Sequence, residues 1–127
     1  MSDKSVLLYN MREESRMKPI RRYLNREDIS FRQVLSSEYM HPIGYLFDMK
    51  GFEANPHNTL RGGFHEEMIV LKGITGTDLD RFYDYFSKNN IPMPSLCAVL
   101  TPINAFWSSV RLYESLVHER DQIKAKK

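Results

Sequence analysis

Phe64-His65-Glu66-Glu67 sets an imidazole beside two carboxylates, a grouping that could serve acid/base chemistry or bind a metal ion. It is not HExxH, and in an extended chain His65 and Glu67 share one face while Glu66 points to the other. His41, His57 and His118 stand at no recognised ligand spacing. Gly73-Ile74-Thr75-Gly76-Thr77 is a short glycine-containing turn at the start of a helical pattern. Its free backbone N–H groups and hydroxyls could hold an anion, although Gly, Ser and Thr are also what helix capping alone selects. Thr101-Pro102-Ile103-Asn104, followed by the single tryptophan, Trp107, makes a second polar turn. The flat indole face and its one N–H could wall a ligand there, or anchor the last helix on the core.

Other chemistries leave no trace in the sequence. Cys97 is the single cysteine, so an internal disulfide and CxxC motifs are excluded, and its place in an apolar run fits a small buried hydrophobe. The phosphate-binding patterns GxxxxGK[ST] and GxGxxG are absent, as are GxSxG and SxxK, and no cofactor motif is present. Arg12, Arg16, Lys18, Arg21, Arg22 and Arg26 crowd one segment, but Glu13, Glu14, Glu27 and Asp28 lie among them. With 18 basic and 16 acidic residues and a net charge of +2, the balance gives no strong case for nucleic acid.

These residues need elements to position them. A chain of 127 residues, 42% hydrophobic and 27% charged, matches one globular domain spanning residues 1–127. Its apolar runs are far shorter than the ~20 residues of a membrane span, and the N-terminal run is too brief for a signal peptide, so the cytoplasm is the expected location.

Ser5-Val-Leu-Leu-Tyr9 reads as a buried strand ending at Asn10. Met17, Ile20, Tyr23 and Leu24 give Arg12–Arg26 one apolar helical face, with Pro19 expected to start the helix near Lys18 or to kink it. Ile29–Leu35 is a strand, and Ser36 and Ser37 cap a short helix carrying Tyr39, Met40, Ile43, Leu46 and Phe47, which Pro42 and Gly44 weaken. Residues 48–65 form a long irregular connection.

Glu66–Ile74 is the clearest strand, and Thr77 is expected to cap the helix bearing Leu79, Phe82, Tyr83 and Phe86. Asn89-Asn90 ends that helix, Leu96–Leu100 is the last strand, and Phe106, Val110, Tyr113 and Val117 mark a closing helix with a frayed tail from Lys124.

Regular alternation of strand and helix predicts an α/β fold with a four-stranded sheet. The alternative is a ferredoxin-like α+β sandwich with strands two and three paired antiparallel, an inserted segment over residues 36–65 and an extra C-terminal helix. No internal repeat is visible. Because ligands of open α/β sheets bind beyond the carboxyl ends of strands, the candidate ligand residues are Asn10, Thr75, Gly76, Thr77, Thr101, Asn104 and Trp107.

Val6-Leu-Leu-Tyr-Asn10, Ile43-Gly-Tyr-Leu46 with Gly51-Phe-Glu53, Glu66-Glu-Met-Ile-Val70, and Ala98-Val-Leu-Thr-Pro102 with Asn104 and Trp107 together resemble a bacterial family known only as a domain of unknown function. The likeness runs from about residue 5 to about residue 117 and is most specific in its second half. It implies a small bacterial cytoplasmic protein and assigns no catalytic residue.

The resulting expectation is a non-catalytic binding or regulatory module for a small anionic ligand, able to form a homodimer. Two alternatives stand beside it. One is a small enzyme joining His65, Glu66 or Glu67 to the rim residues Thr75, Thr101 and Asn104. The other is an RNA-binding protein using the arginine-rich first helix.

Overall fold

Val6, Leu7, Leu8 and Tyr9, and likewise Met68, Ile69, Val70 and Leu71, are shielded on both faces, as the two central strands of a covered sheet must be. In the computed structural model, which describes residues 3–56 and 63–125 (side chains to 123), these runs form β1 (Ser5–Tyr9) and β3 (Met68–Lys72). His57 and Gly62 lie outside the described residues.

The order along the chain is β1, α1 (Glu14–Arg26), β2 (Ser30–Val34), α2 (Ile43–Leu46), β3, α3 (Thr77–Lys88), β4 (Leu96–Val99) and α4 (Ser109–Ala125). In the sheet the order is β2-β1-β3-β4. β1 pairs parallel with β2, β3 pairs parallel with β4, and β1 meets β3 antiparallel with Leu7 opposite Val70. The α/β expectation holds. The ferredoxin-like alternative does not, because β2 and β3 lie on either side of β1 instead of pairing.

The molecule is therefore two strand–helix–strand halves joined back to back at β1 and β3. This internal repeat is carried by geometry and not by residue identity, which is why the sequence hides it. β1 leaves through Asn10 at φ 62° to the buried Met11, and β3 leaves through Gly73 at φ 75° to the buried Ile74.

α1 and α3 also end alike. Past α1, Asp28 (φ 57°) turns the chain so that Ile29 N–H reaches the Leu24 carbonyl at 2.8 Å. Past α3, Asn90 (φ 54°) brings Ile91 N–H to the Phe86 carbonyl at 2.9 Å. Each is a Schellman ending in which Asp or Asn takes the left-handed place usually given to Gly, and each tucks an isoleucine under its helix. Asp48 (φ 56°) ends α2 in the same way, with Met49 N–H on the Gly44 carbonyl at 2.9 Å.

One face of the sheet (Val6, Leu8, Ile69, Leu71) packs on α1 and α3, and the other (Leu7, Tyr9, Met68, Val70) packs on α2, α4 and the residues around Tyr39. α1 begins at Glu14 and runs through Pro19, so of the two expectations for the proline the start near Lys18 is not met. A helical proline costs about 3 kcal/mol, while burying Met17, Ile20, Tyr23 and Leu24 returns about 1.5–3 kcal/mol each, so burial prevails. The Pro19 carbonyl also accepts the Tyr85 hydroxyl at 2.8 Å.

Three local expectations fail for identifiable reasons. Thr77 is not the cap of α3 but its first helical residue; Gly76, at φ 56° and ψ −126°, occupies the capping place, which a side-chain-bearing residue would fill only with strain. Ser36 and Ser37 do not start one helix reaching Phe47. They sit in a single 3-10 turn, Ser36–Glu38, and Pro42 forces a break before α2. Phe106 does not belong to the closing helix: it lies in a separate 3-10 turn, Asn104–Phe106, and is 71% exposed.

Candidate functional site

Because β1 and β3 run in opposite directions, the strand exits lie at two different ends of the sheet. The exits of β3 and β4 carry Thr75, Gly76, Thr77, Thr101 and Asn104 at one end; the exits of β1 and β2 carry Asn10 and Ser36 at the other. β3 and β4 are parallel neighbours, so their exits share one edge, and Asn10 is not part of that rim.

At the β3–β4 end the polar groups satisfy one another. Asn104 Oδ1 accepts Thr101 N–H at 2.8 Å, Thr101 Oγ1 accepts Asn104 N–H at 3.0 Å, and Asn104 Nδ2 donates to the Val99 carbonyl at 3.2 Å. The Thr75 and Gly76 carbonyls accept the Asp78 and Asp80 N–H groups at 3.1 Å each. Gly73 packs against the backbone of Asp3, where an added Cβ would stand 2.9 Å from its carbonyl oxygen. With the carboxylates of Asp78 and Asp80 in the first turn of α3, this is a poor setting for an anion. The Trp107 ring lies 4.6 Å under the Arg111 guanidinium, its backbone N–H donates to the Asn104 carbonyl at 3.0 Å and its carbonyl accepts Ile43 N–H at 2.9 Å.

The β1–β2 end is built differently. Asn10, held in the left-handed region, donates through Nδ2 to the carbonyls of Phe64 at 2.9 Å and Glu66 at 3.0 Å, and accepts the Tyr39 hydroxyl on Oδ1 at 3.2 Å. Both of its side-chain N–H donors go to latching the segment that enters β3 onto the end of β1. Tyr39 and Phe64 stack at 4.6 Å, and Phe64 stacks in turn on Tyr113 at 4.2 Å. Burial raises the Tyr39 hydroxyl above its ordinary pKa despite the Asn10 hydrogen bond and the nearby charge of Arg12, so it remains a donor at neutral pH.

Around this latch lies a cleft of about 420 Å3, lined by Asn10, Arg12, Ser36, Tyr39, Phe64 and His65 with the Gly63 backbone. Arg12, Ser36 and His65 are exposed at its mouth. Among the described residues Arg12, like Arg22 and Arg111, makes no ion pair, whereas Arg16, Arg21, Arg26, Arg32, Arg81 and Arg120 all do.

The two carboxylates beside His65 are committed elsewhere. Glu67 accepts Arg16 Nε at 2.9 Å and Nη2 at 2.7 Å on the α1 face. Glu66 accepts the Tyr113 hydroxyl at 3.0 Å and Arg120 Nη1 at 2.7 Å on the α4 face. They splay to opposite faces as an extended chain requires, and they tie the entrance of β3 to the helices flanking it. The proposed convergence of His65 with Thr75, Thr101 and Asn104 is not formed: His65 precedes β3 and those residues follow β3 and β4, a strand length of roughly 17 Å apart.

Of the residues lining this cleft, sequence reasoning named Asn10 as a ligand residue and His65 only in the enzyme alternative, and did not join Arg12, Tyr39 or Phe64 to them. The one available signal was the order Asn10-Met11-Arg12, in which a cation follows the strand exit by two residues. His41 is tied to the loop as well, its Nδ1 accepting Asn55 N–H at 2.9 Å. No described helix is long and apolar enough to cross a membrane.

Residues 67–123 match the family described as Domain of unknown function (DUF3783). The match begins where β3 is about to start and takes in β3, α3, β4 and most of α4, somewhat less than half of the chain. It covers the half in which the family likeness was most specific and does not extend to the first half, so the residues lining the cleft all precede it. No curated protein and no solved structure matches the chain.

Proposed function

We propose that this chain acts as one unit, a non-catalytic binding or regulatory module that holds a small anion, a phosphate or a carboxylate, in the cleft beyond β1 and β2. The observation that carries the reading is Arg12, a guanidinium without an ion pair among the described residues at the mouth of a cleft of about 420 Å3. A guanidinium offers five donors in a fixed fork suited to carboxylate or phosphate oxygens. The Ser36 hydroxyl and the His65 ring stand beside it as further donors, and the ring of Tyr39 supplies an apolar wall. The non-catalytic part of the reading is supported by the capture of Glu66 and Glu67 in ion pairs, which leaves neither carboxylate available to orient His65 as a general base.

The RNA-binding alternative gains little from α1, where Arg16, Arg21 and Arg26 each face a glutamate. The test is a thermal-shift series with inorganic phosphate, nucleotides and small carboxylates on the wild type and Arg12→Ala. A ligand at 100 times its Kd stabilises the folded state by about 2.7 kcal/mol, and that gain is expected to disappear in the variant. Equal stabilisation of both proteins, or of neither, removes the reading.

A further inference from the structure

The sheet has two edges and they are finished differently. On the β2 edge Arg32 is held by Glu38 and the Leu46 carbonyl, and Gln33 reaches the Met11 carbonyl. The β4 edge, Leu96-Cys97-Ala98-Val99, carries no charge. Leu96 N–H and Leu100 N–H point inward to the carbonyls of Glu67 and Leu71, at 3.2 and 2.8 Å. By alternation the backbone groups of Cys97 and Val99 point outward, and of these the Val99 carbonyl is already met by Asn104. An uncharged outer edge whose Cys97 N–H and C=O and Val99 N–H have no hydrogen bond among the described residues is a template for another strand.

Apolar surface continues on both sides of that edge. Tyr83, 41% exposed, lies on the α3 side with its hydroxyl 3.6 Å from Cys97 Sγ. On the α4 side a groove of about 390 Å3 runs between the start of β4 and Leu116, Glu119, Arg120 and Ile123, the last of them 59% exposed. These four residues fall at i, i+3, i+4 and i+7, one stripe of a helix. Read in either direction, the stripe is apolar, charged, oppositely charged, apolar. An antiparallel copy sets Leu116 against Ile123 and Glu119 against Arg120, which keeps its own ion pair with Glu66, twice over, about an axis between residues 119 and 120. A contact across a two-fold axis needs such self-complementarity, whereas a foreign strand does not.

We propose that two copies of this chain associate through β4, paired antiparallel about Cys97, with the α4 stripes packed together beside the joint. The result is an eight-stranded sheet, β2-β1-β3-β4-β4-β3-β1-β2, whose new junction repeats the antiparallel meeting of β1 and β3 inside each copy. The occupant of this edge is a second copy, and its joint is independent of the anion cleft, none of whose lining residues lies on it.

The experiment is sedimentation of the full chain at roughly 10–100 μM, for wild type, Ile123→Glu and Glu119→Arg. Ile123 and Glu119 are exposed in the single chain, so circular dichroism and melting temperature should match the wild type. The expected result is a wild-type particle of twice the chain mass, and in each variant a dissociation constant raised about tenfold or more. In the first variant the new carboxylate faces the apolar Leu116 of the other copy, and in the second the new guanidinium faces Arg120. A bis-maleimide with a short spacer should link two wild-type chains through Cys97. A wild type that stays monomeric across the range, whether its edge is left bare or serves another protein's strand, overturns the proposal. So does a dimer that neither substitution weakens.

Discussion

Asn10 is the residue on which the shape of the cleft depends, and its replacement separates two contributions. Its side chain makes three hydrogen bonds, to the carbonyls of Phe64 and Glu66 and from the Tyr39 hydroxyl, and its backbone sits at φ 62°. At about 1 kcal/mol net for each part-buried bond, their loss costs about 3 kcal/mol. A side-chain-bearing residue without a polar group adds about 1 kcal/mol of left-handed strain, which glycine avoids.

Asn10→Ala is therefore expected to lose about 4 kcal/mol and Asn10→Gly about 3 kcal/mol, against a total stability of about 5–15 kcal/mol. Urea unfolding followed by circular dichroism, with matched slopes, measures both. An Asn10→Ala cost below about 1 kcal/mol, less than a single typical hydrogen bond and its strain, would refute the latch. A glycine variant less stable than the alanine variant would refute the strain argument. The reciprocal substitution at Gly73 is expected to fail more severely than either, because its Cβ would stand 2.9 Å from the Asp3 carbonyl.

Three further outcomes follow from the packing. Gly44→Ala should cost about 1–3 kcal/mol in the same unfolding assay, because its Cβ would fall 2.7 Å from the Phe52 ring that closes over α2. Tyr9 is fully buried against Ser109 at 2.7 Å, and desolvation raises its hydroxyl pKa well above that of an exposed tyrosine. Above pH ~10 the unfolded chain releases this proton and the folded chain keeps it, so stability falls with rising pH by up to about 1.4 kcal/mol per unit until the folded-state pKa is reached. Urea titrations between about pH 8 and 11 should show a shallower decline in Tyr9→Phe. Burial raises the Cys97 thiol, opposed by the weaker effect of the Tyr83 hydrogen bond, so iodoacetamide at neutral pH should label it more slowly than the same residue in urea.

How much of this was legible in the sequence depends on what each element owes to its own residues. β1, β3, α1 and α3 were readable because burial acts through periodicity, and the faces Met17-Ile20-Leu24 and Phe82-Phe86 are buried as spaced. Tyr83 breaks the pattern, being exposed where its spacing with Leu79 and Phe86 suggested core, because it reaches the edge strand, where its hydroxyl lies 3.6 Å from Cys97 Sγ. Caps and strand exits were harder. Thr101 and Asn104 have the residue types of a ligand-binding turn, yet they spend those atoms on each other, a pairing that composition does not reveal.

The division of the candidate site was not legible either. Whether Asn10 and Thr75 share a rim depends on the direction in which β1 meets β3, and that is settled by packing over the whole sheet. The long connection could not be placed from its residues, but the part that matters, Gly63-Phe64-His65, is fixed by one asparagine 54 positions earlier that holds the Phe64 carbonyl.

The claim that an anion is held beyond β1 and β2 is tested most directly by titrating inorganic phosphate into the isotopically labelled chain and following every backbone amide and the arginine side-chain Nε–H signals. The account predicts saturable shifts at Arg12 Nε–H and at the amides of Asn10, Arg12, Ser36, Phe64 and His65, all lost in Arg12→Ala. Shifts confined to Thr75–Thr77 and Thr101–Asn104, or none that saturate, would contradict it.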